Sequence, residues 1–180
     1  MNTMKNIINC LVENQPGVLS RIVGLISGRG YNIETLNVGP TADPTVSNMT
    51  IVVPGDAHVI EQVTHQLSKQ VDVIQVVNMT KRRHIDRELI LVRVATMNHH
   101  ARAEIVDLAA LFSARVVAVQ EDSVTIQMVG NQETVADFLR LLKPYTIIDI
   151  SRSGVIAVDR EIVERECADM VSPQPAVSAK

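Results

Sequence analysis

Glu13-Asn14-Gln15-Pro16-Gly17-Val18-Leu19-Ser20-Arg21 joins an apolar run, Ile7 to Val12, to a helix-period segment, Val18 to Ile26. It reads as a strand-to-helix turn. Asn14 is placed to cap the helix, and Pro16 to fill its first turn, where a missing N–H costs nothing. Gly17 lets a ligand come close to the backbone. The N–H groups of Gly17, Val18 and Leu19 then face out of the helix start beside its positive dipole end, which suits a carboxylate. Read alone, the stretch is first of all an ordinary capped turn; the rest of the chain shifts the balance.

Upstream, residues 6–13 form a strand. Downstream, a helix runs from about Pro16 to Arg29, with Val18, Leu19, Ile22, Val23, Leu25 and Ile26 on one apolar face. Opposite lies a stripe of small residues, Gly17, Ser20, Gly24, Ser27 and Gly28. Interior glycine costs a helix about 1 kcal/mol relative to alanine. The stripe therefore points to another backbone or a neighbouring subunit packed close, or else to a short, tolerant helix. Gly28 and Gly30 end the helix. Strands follow at Tyr31–Val38 and Val46–Val53, with the turn-rich Gly39–Pro44 between them. Asp56 caps a helix to about Gln70, and Val71–Val77 is a fourth strand. The order β-α-β-β-α-β is the ferredoxin-like arrangement.

Lys81-Arg82-Arg83-His84 interrupts with charge and reads as a linker. The same order then returns: strand Glu88–Thr96, helix Ala101–Ala114, strands Arg115–Gln120 and Ser123–Val129, helix Gln132–Leu142, strand Tyr145–Ser151, with residues 155–158 extending the sheet. The fold class is α+β, with two ferredoxin-like βαββαβ sandwiches in tandem, residues 1–80 and 84–158. Residues 159–180 are read as a C-terminal helix, Asp159 to Cys167, and a disordered tail from Ser172. The Asn-Gln-Pro-Gly turn has no copy in the second half, where Asn98-His99-His100 stands in its place.

Composition removes several function classes. Aromatics are 2% of the 180 residues and Trp is missing, so the cores are built from Val, Ile and Leu. An RNA-recognition domain shares this element order but stacks bases on aromatic strand residues, and a net charge of −3 adds no attraction to nucleic acid. No signal peptide and no membrane span is expected, since no apolar run approaches ~18 residues. Cys10 and Cys167 lack metal-type spacing and read as free thiols of a cytoplasmic protein. His58 and His65 share a helix face, and His99 adjoins His100, but neither pair has a third ligand, so no metal site is expected. No nucleophile–base pair or paired acids mark a catalytic site.

The pattern Glu13–Arg21, followed by Gly30-Tyr31-Asn32-Ile33-Glu34, resembles the amino-acid-binding ACT domain. More closely, the chain is similar to the small regulatory subunits of acetohydroxyacid synthase (acetolactate synthase). The similarity continues in Pro40-Thr41-Ala42-Asp43-Pro44-Thr45, in Arg87-Glu88-Leu89-Ile90-Leu91-Val92 and in Arg152-Ser153-Gly154-Val155. It covers about residues 4–158. Pro16 stands where close relatives can carry Ser, and the segment beyond Asp159 is longer than the minimal family form.

The resemblance implies a non-catalytic subunit that binds the acetolactate synthase catalytic (large) subunit and raises its activity. It implies feedback inhibition by a branched-chain amino acid effector, usually valine, in valine, leucine and isoleucine biosynthesis. It places thiamine diphosphate, magnesium and FAD on the partner and no cofactor on this chain, and it implies a homodimer or higher assembly. The effector-binding residues are Asn14, Gly17, Val18, Leu19, Asn32 and Ile33. The effector carboxylate suits the N–H groups of Gly17 to Leu19, and its ammonium the side-chain oxygens of Asn14 and Asn32. Those two residues are expected at the same end of one domain, or else facing each other across a subunit interface. Val18, Leu19, Ile33 and Leu36 are expected to surround a small aliphatic side chain. The rival class is an amino-acid-sensing ACT-type module that regulates a different enzyme or a transcription system.

Overall fold

Alternation in the first apolar run builds strand β1, Lys5–Glu13, which buries Ile8, Cys10 and Val12 on one face. Strand β3, Val46–Pro54, alternates in step and adds Met49, Ile51 and Val53 to that face. Helices α1, Val18–Ser27, and α2, Ala57–Leu67, lay Val18, Ile22, Ile26, Ile60, Val63 and Leu67 over it. Each such side chain contributes on the order of 1.5–3 kcal/mol when fully buried. Strands β2, Thr35–Pro40, and β4, Val73–Asn78, complete an antiparallel sheet of order β2-β3-β1-β4. The computed structural model describes residues 5–160. The tail expected from Ser172, and all but the start of the helix expected from Asp159, lie outside them.

The second sandwich repeats the plan. Its elements are β5 His84–Ala95, α3 His99–Leu111, β6 Arg115–Val119, β7 Ser123–Gly130, α4 Gln132–Leu141 and β8 Ile147–Asp159. The sheet order is β6-β7-β5-β8. Ile90, Val92, Val94, Ile105, Val124, Ile126, Met128 and Phe138 form its core, closed by Phe112 against Phe138 with ring centroids 5.3 Å apart.

Three boundaries differ from the sequence reading. The second strand starts at Thr35, not Tyr31. Gly30 takes φ 78, and the N–H groups of Gly30 and Tyr31 turn back onto the carbonyls of Ser27 and Ile26, a left-handed helix stop that carries the chain through residues 31–34 before the ladder begins. Strand β5 starts at His84, so Lys81–His84 is not a plain linker. Met79–Lys81 is a 3-10 turn with Met79 buried, and Arg82 pairs with Asp159 at 2.8 Å. Finally, β8 is one strand from Ile147 to Asp159, paired with β5 from Val94↔Ile147 to His84↔Asp159.

The far end of this β5–β8 ribbon leaves its own sandwich and lies on the outer face of the first sheet. There Val155 and Ala157 pack with Ile7, Val52 and Met79 in a third apolar cluster. Side-chain amides fix the docking: Asn9 Nδ2 donates to the Ala157 carbonyl and Asn37 Nδ2 to the Ser153 carbonyl, both at 3.3 Å. An edge strand presents unpaired carbonyls, and here the asparagines of the neighbouring sheet satisfy two of them.

Candidate functional site

The β1–α1 turn is built differently from the capped turn expected. Asn14 does not cap α1. Its backbone N–H donates to the Thr45 carbonyl at 2.7 Å and its Nδ2 to the Pro44 carbonyl at 2.9 Å, which ties the turn to the loop before β3. Pro16 lies in the turn and not in the helix, because Gly17 at φ 89 is left-handed and separates the two. Gly17 is the cap residue, and no side chain accepts from the helix start. The other three described α-helices are each capped by a side-chain oxygen: Asp56 accepts from Val59, Asn98 from Ala101 and Asn131 from Thr134. The first turn of α1 therefore keeps N–H groups without a side-chain acceptor at the positive end of the helix dipole.

A guanidinium, itself paired with a carboxylate, stands beside this helix end. Arg21 Nε is held by Asp72 Oδ2 at 2.8 Å, and its Nη1 lies 3.4 Å from where a Cβ on Gly17 would stand. The sequence reading quoted Arg21 without giving it a role. Its spacing of four from Gly17, one helical turn along the same face, was the available signal.

The remaining expected residues divide. Val18 is buried at 2% exposure in the first core and its N–H donates to the Gln15 carbonyl at 3.4 Å, so its side chain is closed to a ligand and its N–H is already engaged within the turn. Leu19 is 44% exposed beside the turn. Asn32 is exposed, while Ile33 and Leu36 pack partly against the first core. Asn14 and Asn32 do not share an end of the domain. Glu34, two residues after Asn32, pairs with Lys5 at the start of β1 and donates its N–H to the carbonyl of Val52, which lies opposite Ile7; Asn14 adjoins Thr45 at the other end. The separation is a strand length, about 30 Å for nine residues. The reason is geometric: α1 runs back antiparallel to β1, so whatever follows it is returned to the strand's beginning.

Other candidates carry no site chemistry. Cys10 is buried, and burial pushes its thiol from 9.0 up to about 12, which leaves no nucleophile at neutral pH. Among the described residues, no group of three or more His, Cys, Asp or Glu is placed to hold a metal, and no helix is long and apolar enough to cross a membrane. The small-residue stripe on α1 is open. A Cβ added to Gly24 would meet nothing within 4 Å, so no backbone of the described chain packs there.

A βαββαβ sandwich with a left-handed glycine and an uncapped helix at its first β–α turn is an ACT-type regulatory domain, joined here to a second sandwich of the same order. Residues 8–75 match the AHAS small subunit-like ACT domain, and residues 87–161 match the small subunit of acetolactate synthase. The acetolactate synthase small subunit of Haemophilus influenzae is 46% identical over 158 residues, which span 87% of this chain and 96% of the relative. That of Aquifex aeolicus is 42% identical over 162 residues, 90% of this chain and 84% of the relative. The crystal structure of the acetolactate synthase small subunit from Thermotoga maritima superposes with a TM-score of 0.78 at 30% identity, covering 89% of this chain and 99% of that one. The chain belongs to the acetolactate synthase small-subunit family. It is a regulatory, non-catalytic subunit whose partner is the catalytic subunit of that enzyme.

Proposed function

We infer that the chain senses a branched-chain amino acid, with valine foremost, at the β1–α1 turn and uses it to restrain the catalytic subunit that it otherwise activates. The observation that carries this is the start of α1, where the left-handed Gly17 opens a helix that no side chain caps. The effector carboxylate takes free N–H groups of the first turn, at the helix end that an Asp or Asn caps on the other helices, beside the Arg21 guanidinium.

One copy of the chain supplies only half of this site, since Asn32 and Ile33 lie a strand length from Gly17. A dimer supplies the rest. β2 is an edge strand, paired with β3 alone. Antiparallel pairing of β2 with the β2 of a second copy sets the start of one strand beside the end of the other. Pro40 ends β2, and the loop that follows holds Asn14 through Pro44 and Thr45. Asn32 of the partner subunit then approaches the turn from Asn14 to Leu19, where its side-chain oxygen accepts from the effector ammonium. The same pairing removes an exposed sheet edge. In this reading thiamine diphosphate, magnesium and FAD stay with the catalytic partner.

Calorimetric titration of the full chain with L-valine, L-leucine and L-isoleucine, alongside light scattering, tests the proposal. Saturable binding of at least one of them by a dimer or larger species is expected. A monomer, or heats that stay at the level of dilution for all three, would sink it.

A further inference from the structure

The docked ribbon leaves an open cavity of about 350 Å³ between the two domains, lined by none of the residues from Asn14 to Leu19. Asn37, Asn48 and Thr50 of the first sheet line one side; Ile85, Arg87 and Ile156 of the β5–β8 ribbon line the other. The volume falls at the lower end of the range for small-molecule sites, which pair apolar walls with a few convergent polar groups.

Three features define what would fit. Asn48 Oδ1 is buried, and among the described residues nothing donates to it. A buried acceptor left this way costs on the order of 1–3 kcal/mol and calls for a donor. The neighbouring Thr50 hydroxyl is only weakly engaged, by Asn9 Nδ2 at 3.5 Å. Arg87 is exposed and, among the described residues, is the one charged residue lining the cavity, so the local field attracts an anion. Ile85 and Ile156, at 43% and 52% exposure, give the wall an aliphatic surface.

We propose that this interdomain cavity is a second small-molecule site, for a small aliphatic carboxylic acid bearing an amino or hydroxyl donor on its α-carbon. The carboxylate pairs with Arg87, the α-donor satisfies Asn48 Oδ1 once the amide turns out toward the cavity, and the aliphatic body packs on Ile85 and Ile156. Because both domains supply the walls, an occupant favours their docked arrangement, by as much as it binds that arrangement better than an undocked one. This site stands apart from the reading of the β1–α1 turn.

The test is methyl NMR on the full chain, labelled at Ile and Val, in an Asn32→Ala background that removes the expected contribution of the turn site. L-Leucine, its α-hydroxy analogue and its α-oxo analogue are titrated in turn. Saturable shifts of the Ile85 and Ile156 methyls are expected with the amino acid, the hydroxy acid or both, and binding at least about five-fold weaker with the oxo acid, which has no donor for Asn48. Arg87→Gln and Asn48→Leu should each weaken binding by about ten-fold or more. Arg87 is exposed, so its variant leaves the core untouched even where Asn48→Leu disturbs packing. Absence of saturable shifts with all three acids overturns the proposal. So does equal binding of the oxo acid, or binding that Arg87→Gln leaves unchanged.

Discussion

Arg152 holds the buried carboxylate of Glu88 with both arms of its guanidinium, Nε to Oε1 at 2.8 Å and Nη2 to Oε2 at 2.6 Å. Glu88 is 1% exposed and sits at the register shift where β5 leaves its own sheet for the first domain. The pair holds the Arg152 guanidinium above its ordinary value, chiefly through the Glu88 hydrogen bonds. Next to it, Ser153 Oγ accepts from the Leu89 N–H at 3.0 Å, and the Ser153 carbonyl accepts from Asn37 of the first sheet. This cluster joins the interior of the second domain to the edge strand of the first.

Arg152→Ala should therefore leave a buried, unpaired carboxylate. The expected loss is roughly 2–3 kcal/mol, below that of a fully buried pair because the Arg152 side chain is 44% exposed and partly screened. Adding Glu88→Gln to Arg152→Ala should recover part of it. Urea unfolding of the single and double variants measures both; a single variant within experimental error of the parent would remove the pair from the account.

Gly154 has φ 78, and a Cβ there would stand 3.4 Å from Thr35 Cβ and 3.7 Å from the Leu36 carbonyl. Gly154→Ala should cost roughly 1–2 kcal/mol for the left-handed backbone alone. The loss should appear at the domain junction. Hydrogen exchange should quicken in β2 and in the far half of β8 while the two cores hold their protection. Uniform quickening across both sandwiches would mean the glycine serves global folding and not docking.

Cys10 supplies a pH dependence. Its folded-state pKa is raised to about 12 from 9.0, so the folded state keeps the proton that the unfolded chain loses. Stability is full below about 9 and falls above it, by up to about 1.4 kcal/mol per pH unit from this group. Cys10→Ala in a Cys167→Ser background should flatten that alkaline limb. An identical limb with and without the thiol would contradict the assignment.

Gly24 faces outward on α1 with open space around it. Gly24→Ala should stabilise the chain by roughly 0.5–1 kcal/mol through helix propensity. If thermal unfolding confirms this while affinity for the catalytic subunit drops, the small-residue stripe is a contact surface. A stabilised variant with full affinity would make it merely a tolerant helix face.

Periodicity carried most of the fold. Alternation along Ile8–Cys10–Val12 and the 3.6-residue spacing of Val18–Ile22–Ile26 are local signals, and both elements form where those signals stand. The turn was legible as a place but not as a geometry. Asn14 has the chemistry of a cap, yet a distant segment, Pro44–Thr45, takes its hydrogen bonds, and only Gly17 permits the left-handed step. Asn32-Ile33 alternates like strand, but the left-handed Gly30 delays the ladder to Thr35. The start of β5 was hidden because its first residues, His84 to Arg87, are polar or exposed, and its partner lies some seventy residues away in β8. The asparagine bridges from Asn9 and Asn37 to β8 leave no local trace at all, being set by packing between domains.

The most direct measurement is the L-valine dose–response of the reconstituted enzyme with Leu19→Glu and with Asn32→Ala. Leu19→Glu places a carboxylate in the first turn of α1, where it suits the helix dipole and occupies the donors meant for the effector. It avoids the backbone strain that any side chain at Gly17 would bring. Asn32→Ala removes an acceptor for the effector ammonium, worth roughly 1.5–3 kcal/mol or about ten-fold or more in affinity. Activation in the absence of valine should persist in both variants, while the valine concentration for half-inhibition rises at least about ten-fold. Inhibition at the parental valine concentration by both folded variants would contradict the assignment of the turn as the sensor.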